Sequence, residues 1–150
     1  MLHLEGAEPV SPALTELDSF YAMGGQIHRP ALVTAECFRH WCALQLSGSP
    51  DQGTGLTDAG KALVKACDQM NILLDVSHLN EAGFWDIARL SQQPLLASHS
   101  NAHALCPSPR NLTDRQLDAV AESGGLVGSV LPQPICAVMV AKTQQQISNL

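Results

Sequence analysis

Two short apolar runs that each end at a Ser-His pair constrain the fold of this chain more than any other feature. The runs Ile72–Val76 and Pro94–Ala97 lead, through one serine each, to His78 and His99. A segment of helical length, residues 80–91, separates them. A strand, a crossover helix and a second parallel strand would place both histidines at the carboxyl edge of one sheet, where parallel α/β folds carry their chemistry.

The paired histidines allow two interpretations. Two imidazoles that converge at a sheet edge are a common beginning of a metal site. Alternatively, each histidine is a strand-end residue hydrogen-bonded to a neighbouring loop, because neutral imidazole serves many structural roles. The spacing of His78 and His99 leaves both interpretations open.

Composition narrows the class of protein. The chain has 150 residues, enough for one domain, and a net charge of −6 with only 8 Lys and Arg, so a nucleic-acid surface is not expected. It contains no apolar run of the ~20 residues that a membrane helix needs, and its start does not resemble a signal peptide. Five cysteines without a Cys-x-x-Cys motif predict reduced thiols, with no disulfide framework, and a cytoplasmic location.

Strand and helix signals alternate along the chain. Helix starts are predicted at Ser11-Pro12, Thr57, Asn80 and the Thr113–Gln116 capping box. Predicted strands are Leu2–Leu4, Ile72–Val76, Pro94–Ala97 and Leu126–Val130. This alternation predicts an α/β fold with a parallel sheet. Because such a sheet with open edges is a poor solitary fold, the chain is expected to be the middle of a larger barrel.

Several motifs in order carry a family resemblance. They are Leu4–Pro9, Gly55–Gly60, Leu74–His78, Ser98–Ala102 and Pro109–Asn111. The chain resembles the membrane-dipeptidase (renal dipeptidase-like) zinc metallopeptidases in their bacterial form. The match covers residues 1–24 and 47–129 of what is expected to be one partial barrel domain, 1–150.

The resemblance implies an incomplete (β/α)8 TIM barrel of the metal-dependent hydrolase type, with two zinc ions per active site. By that resemblance Glu5 matches the carboxylate that bridges the zinc ions, and His78 and His99 match the ligands of the second zinc. Arg110 matches the arginine that binds the terminal carboxylate of the substrate. The alternatives are that Glu5 is an ordinary solvated carboxylate and that Arg110 pairs with Asp114.

Some of the family's ligands have no counterpart in these 150 residues. The family holds its first zinc with a His-x-Asp pair and uses a later aspartate, and neither motif is matched here. Because a site with too few ligands loses affinity, at most about one weakly held zinc is expected.

Residues 25–46 and 130–150 depart from the family pattern. Back-translation of both segments gives family-like residues when it is read in another frame, so we expect a frameshifted fragment. On that hypothesis no buried strand should form within residues 26–46.

The expected function is a zinc metallodipeptidase, here a truncated copy, that hydrolyses dipeptides or N-acyl amino acids. The alternatives are an inactive remnant of a decayed dipeptidase gene and another metal-dependent barrel hydrolase, acting on a non-peptide amide or a lactone. The expected partner is a small peptide substrate, with no nucleic acid and no membrane segment in this chain, and a homodimer is the oligomer considered.

Overall fold

Parallel strands and helices alternate through the computed structural model, which describes residues 2–5, 9–29 and 53–130. The elements in chain order are β1 Leu2–Glu5, α1 Leu17–Ala22, β2 Gly25–Arg29, α2 Asp58–Gln69, β3 Leu73–Leu74, α3 Glu81–Leu90, β4 Leu96–Ala97, α4 Asp114–Glu122 and β5 Leu126–Val127. The described ranges are therefore a mixed α/β structure, as the alternation of sequence signals predicted.

The spatial order of the strands follows their order in the chain. Strands β1, β2 and β3 form one parallel sheet, and β4 and β5 form a second parallel pair. A parallel bridge between Asp75 and Leu96 joins the two, and the Val76 N–H donates to the Leu96 carbonyl at 2.7 Å. The carboxyl ends of the strands therefore lie along one edge.

Helix starts agree with three of the predicted caps. The Thr57 hydroxyl accepts from the Gly60 N–H at 3.1 Å, and the Asn80 side chain accepts from the Gly83 N–H at 3.1 Å. A capping box opens α4 at Thr113. The apolar faces of these helices pack on the strands, and the buried apolar core includes Leu63, Val64, Cys67, Ile72, Leu74, Val76, Phe84, Ile87, Ala97 and Val120.

Asn80 stabilises the fold beyond capping α3. It is fully buried, and its Nδ2 donates to the Thr54 carbonyl at 2.8 Å. Replacing Asn80 with alanine removes both the cap and this second bond, so we expect a loss of about 2–3 kcal/mol in the free energy of unfolding. Thr57→Ala, which removes the cap of α2, should lose about 1 kcal/mol. Urea unfolding of both variants measures the difference, and equal losses would contradict the role given to Asn80.

The first helix begins later than predicted. Ser11-Pro12 was expected to open it, but α1 starts at Leu17. The Ser11 hydroxyl donates to the Glu16 carboxylate at 2.8 Å, and Leu14 has a positive φ of 59°. Because a left-handed residue breaks the helical path, residues 11–16 form turns instead.

Strand β2 lies partly within residues 26–46, where no buried strand was predicted; the structure gives its pairing, whereas the burial of its side chains lies outside the described part of the structure. Gly25–Arg29 pairs in parallel with β1 on one side and β3 on the other. Strand pairing uses main-chain groups that nearly every residue type offers, so an irregular side-chain pattern did not prevent it. The rest of that segment lies outside the described residues, and its assignment as anomalous stays a prediction.

The prediction of reduced thiols holds for one described cysteine and fails for the other. Cys67 is a buried free thiol, and burial, with the nearby charge of Asp68, raises its pKa to about 12. Cys106 is disulfide-bonded. Spacing along the chain could not reveal this bond, because the bond depends on tertiary proximity. Separately, no helix in the described ranges has both the length and the hydropathy needed to cross a membrane.

Candidate active site

The two histidines of the Ser-His pairs lie together at the carboxyl edge of the strands. His78 follows β3 and His99 follows β4. Their ring centroids are 4.8 Å apart, and the ring planes are tilted by 53°. The strand-helix-strand pattern therefore brings together the two side chains that the sequence singled out.

His78 occupies an unusual backbone conformation. Its φ is +67°, in the left-handed region, and the Leu79 N–H donates to the Val76 carbonyl at 3.3 Å. For a residue with a Cβ this conformation costs about 1–2 kcal/mol. Residues held in such conformations cluster at functional sites, and here the turn brings the imidazole beside that of His99.

Both serines of the Ser-His pairs bond to His99. The His99 N–H donates to the Ser77 Oγ at 3.1 Å, and the Ser98 Oγ lies 2.6 Å from the His99 Nδ1. One serine thus holds the backbone of His99 and the other holds its ring. With Nδ1 held by a hydroxyl, Nε2 is the ring nitrogen that would bind a metal ion.

Asp75 is a residue of this site that the sequence analysis missed. It has no exposed surface and accepts from the N–H groups of Ser77 and Ser98, both at 3.0 Å, and from the Ser98 hydroxyl. Burial raises the pKa of its carboxyl, but the hydrogen bonds from Ser98 and Ser77 outweigh burial and hold the pKa below the usual value.

A sequence signal for Asp75 did exist. It is the single charged residue within an apolar strand run, Ile72–Val76. A charge in such a position is buried, and a buried charge needs partners. The strand ends that carry the histidines supply those partners.

The guanidinium of Arg110 lies against the imidazole of His78. Its Nε donates to the His78 Nδ1 at 3.1 Å, and its Nη2 is 2.9 Å from the His78 Nε2. Because a neutral imidazole accepts at only one nitrogen, only one of these contacts is a full hydrogen bond. The arginine singled out in the sequence is thus beside the histidine pair.

Hydrogen bonds within one loop hold Arg110 near the strand edge. A parallel bridge joins Ala102 to Leu112, and the Asn111 Oδ1 accepts from the Asn101 N–H at 3.2 Å. The buried Asn111 also donates to the Cys106 carbonyl at 2.8 Å. These bonds fix the path of the residue next to Arg110.

Glu5, a predicted ligand, and His103, a further histidine near the site, have different positions. Glu5 ends β1 at the same strand edge and is in register with Arg29, but its side chain lies outside the described part of the structure. His103 lies in the loop, with its Nδ1 3.0 Å from the Ser108 carbonyl, which is a structural contact.

The donor set fits a metal ion in part. Two imidazoles from adjacent strand ends are good donors for zinc, and the Nδ1 of His99 is already held by a hydroxyl, as in protein metal sites generally. Among the described side chains, those of residues 9–24 and 53–130, however, no group of three or more His, Cys, Asp or Glu residues is placed to hold a metal. The described side chains thus supply part of a site.

Comparison with known proteins gives a consistent family. The family model described as "Membrane dipeptidase (Peptidase family M19)" matches residues 1–147. A protein in the pqqA 5′ region of Klebsiella pneumoniae is 48% identical over 126 residues, covering 84% of this chain and 46% of that protein. Dipeptidase aclJ of Aspergillus oryzae is 30% identical over 127 residues, covering 85% of this chain and 29% of that enzyme.

A solved structure matches the fold as well. The metallopeptidase of Rhodobacter sphaeroides liganded with a phosphinate mimic of the dipeptide L-Ala-D-Ala is 50% identical, with a TM-score of 0.83. The match covers 86% of this chain and 37% of that peptidase. The chain spans less than half the length of the curated relatives described above. The family model nevertheless extends over nearly all of these residues, and the chain belongs to the membrane dipeptidase family of metallopeptidases.

Proposed function

We propose that this chain is part of a zinc-dependent dipeptidase that hydrolyses dipeptides or N-acyl amino acids. The observation that carries the proposal is the His78–His99 pair in a chain of this family. Their ring centroids lie 4.8 Å apart at a parallel strand edge. The phosphinate dipeptide mimic bound by the Rhodobacter sphaeroides peptidase supports a small peptide as substrate.

Glu5, His78 and His99 would hold the metal. Imidazole and carboxylate groups are the ligands of catalytic zinc sites. Bound zinc would supply Lewis acidity and an acidified water. The Ser98 Oγ beside the His99 Nδ1 favours Nε2 as the ligand atom of that ring.

Arg110 would bind the terminal carboxylate of the substrate. Its fork of N–H donors suits a planar carboxylate, and it lies at the histidine pair through its contacts with both ring nitrogens of His78. His78 can bind a metal through only one nitrogen, so Arg110 would give up at least that contact. The guanidinium would then have donors available beside the metal ligands.

We also propose that the strands belong to a (β/α)8 barrel. Leu126 on β5, at one end of the described strand order, is 67% exposed, which is unusual for a leucine in a parallel strand. A further strand and helix would cover it. The cytoplasmic location, the homodimer and the frameshift stay predictions.

Metal content tests the site. Residues 1–150 are expected to bind no more than about one zinc per chain, weakly, because part of the family's ligand set is missing. Elemental analysis after dialysis measures the stoichiometry. The double variant His78→Ala/His99→Ala should bind none, while His103→Ala should match the unmodified chain. Two tightly held zinc ions, or unchanged binding by the double variant, would contradict the assignment.

A further inference from the structure

We infer that Asp75 and Ser98 are positioning residues that fix the tautomer of His99, with the proton on Nδ1 and the lone pair on Nε2. The functional meaning of this inference rests on the proposed metal role of His99, but the geometry can be tested without a metal. A metal ion binds the ring nitrogen that carries the lone pair, so the tautomer decides which nitrogen can serve.

The first step concerns the single proton of the Ser98 hydroxyl. Among the described residues this hydroxyl bonds to two polar side-chain atoms, the Asp75 Oδ2 and the Nδ1 of His99, the latter at 2.6 Å. Asp75 also accepts two backbone N–H groups at 3.0 Å, an arrangement that favours its ionised form. An ionised carboxylate only accepts, so the hydroxyl proton goes to Asp75.

The second step follows for the ring. With its proton committed to Asp75, the Ser98 Oγ offers only lone pairs to the Nδ1 of His99. A contact of 2.6 Å between two acceptors would be repulsive, so Nδ1 must donate. A neutral imidazole has one N–H, and placing it on Nδ1 leaves the lone pair on Nε2.

The third step concerns where the ring can point. The Ser77 Oγ accepts from the His99 backbone N–H at 3.1 Å. Ser77 therefore holds the main chain of His99, while Ser98 holds its ring. Asp75 also accepts the backbone N–H groups of both Ser77 and Ser98, one from each strand end. One carboxylate therefore ties together the two turns that carry the histidine pair.

The tautomer itself is the first readout. Residues 1–150 with ¹⁵N-labelled histidine are examined metal-free at about pH 8.5, above the ordinary histidine pKa, by long-range ¹H–¹⁵N correlation of the rings. We expect the Nδ1–H form of His99. Asp75→Asn should reverse it, because the introduced amide donates to the Ser98 Oγ and the hydroxyl then donates to Nδ1. Ser98→Thr should preserve it.

Ser100→Ala is the matched control. Ser100 adjoins His99 on the other side, is buried, and its hydroxyl has no hydrogen-bond partner among the described residues. Its removal deletes the same group from the same turn without touching the Asp75–Ser98–His99 contacts, so the tautomer should not change. A role of Asp75 and Ser98 in packing alone would not reverse a tautomer.

Cobalt affinity is the second readout, measured by titrating Co²⁺ into each variant and following its visible absorption. Asp75→Asn and Ser98→Ala should weaken binding about 10–100-fold, while Ser98→Thr and Ser100→Ala should not. The Nε2–H form in the unmodified chain, or an unreversed tautomer in folded Asp75→Asn, overturns the inference. If Asp75→Asn does not fold, the tautomer of His99 in the unmodified chain and in Ser98→Thr still tests the inference. The Nδ1–H form without cobalt binding supports the inference and counts against the proposed metal function instead.

Discussion

Residues 1–150, expressed alone and supplied with zinc, are expected to hydrolyse dipeptides at the background rate. The family resemblance implies two zinc ions, and only Glu5, His78 and His99 match its metal-binding side chains. Dinuclear hydrolysis needs both cations, because together they polarise the carbonyl and generate hydroxide. Because the parts of such a site act as a unit, losing several of them does not leave a proportional fraction of the rate.

An assay of this chain with a panel of dipeptides measures the effect. The matched control is the same assay on a full-length reading frame that contains this region, where zinc-dependent turnover should appear. Turnover by residues 1–150 within about tenfold of ordinary enzyme rates, ~10 s⁻¹, would overturn the expectation. Hydrolysis of a lactone or a non-peptide amide, but of no dipeptide, by the full-length protein would favour the alternative barrel hydrolase.

Helix starts were predicted correctly where a single capping side chain determines them. Thr57, Asn80 and the Thr113 capping box each cap the helix that the sequence placed there. The start of α1 was missed because the Ser11 hydroxyl bonds to the Glu16 side chain instead of capping a helix. A sequence shows that the Ser11 oxygen can accept from a helix N–H, but not that its hydroxyl will instead donate to a nearby carboxylate.

The site was predictable in its histidines and not in its supports. Matched Ser-His pairs after two apolar runs indicated that His78 and His99 would meet, because topology alone brings parallel strand ends together. The contacts of Asp75 with Ser98, and of Arg110 with His78, depend on side-chain and loop conformations. No periodicity encodes these conformations. Strand β2 was not predicted because its residues lack an apolar strand pattern. Main-chain pairing nevertheless tolerates such a sequence.

Replacing His99 with alanine in a full-length reading frame that contains this region is expected to lower dipeptide hydrolysis by at least about a thousandfold. The backbone and the ring of His99 are both held, by Ser77 and Ser98, so its position is well defined. Removing one member of an interlocked catalytic set costs on this scale or more.

His103→Ala is the control for that substitution, because it removes an imidazole from the adjacent loop. His103 contacts the Ser108 carbonyl and belongs to the loop that carries Arg110, so its loss should lower the rate less than about tenfold. Measuring kcat and bound zinc together separates the two variants: His99→Ala should lose both, and His103→Ala should keep its zinc. A His99→Ala protein that kept most of its activity would remove this histidine from the metal site. His78 and His99 would then be strand-end residues with a structural role, which is the alternative interpretation of the pair.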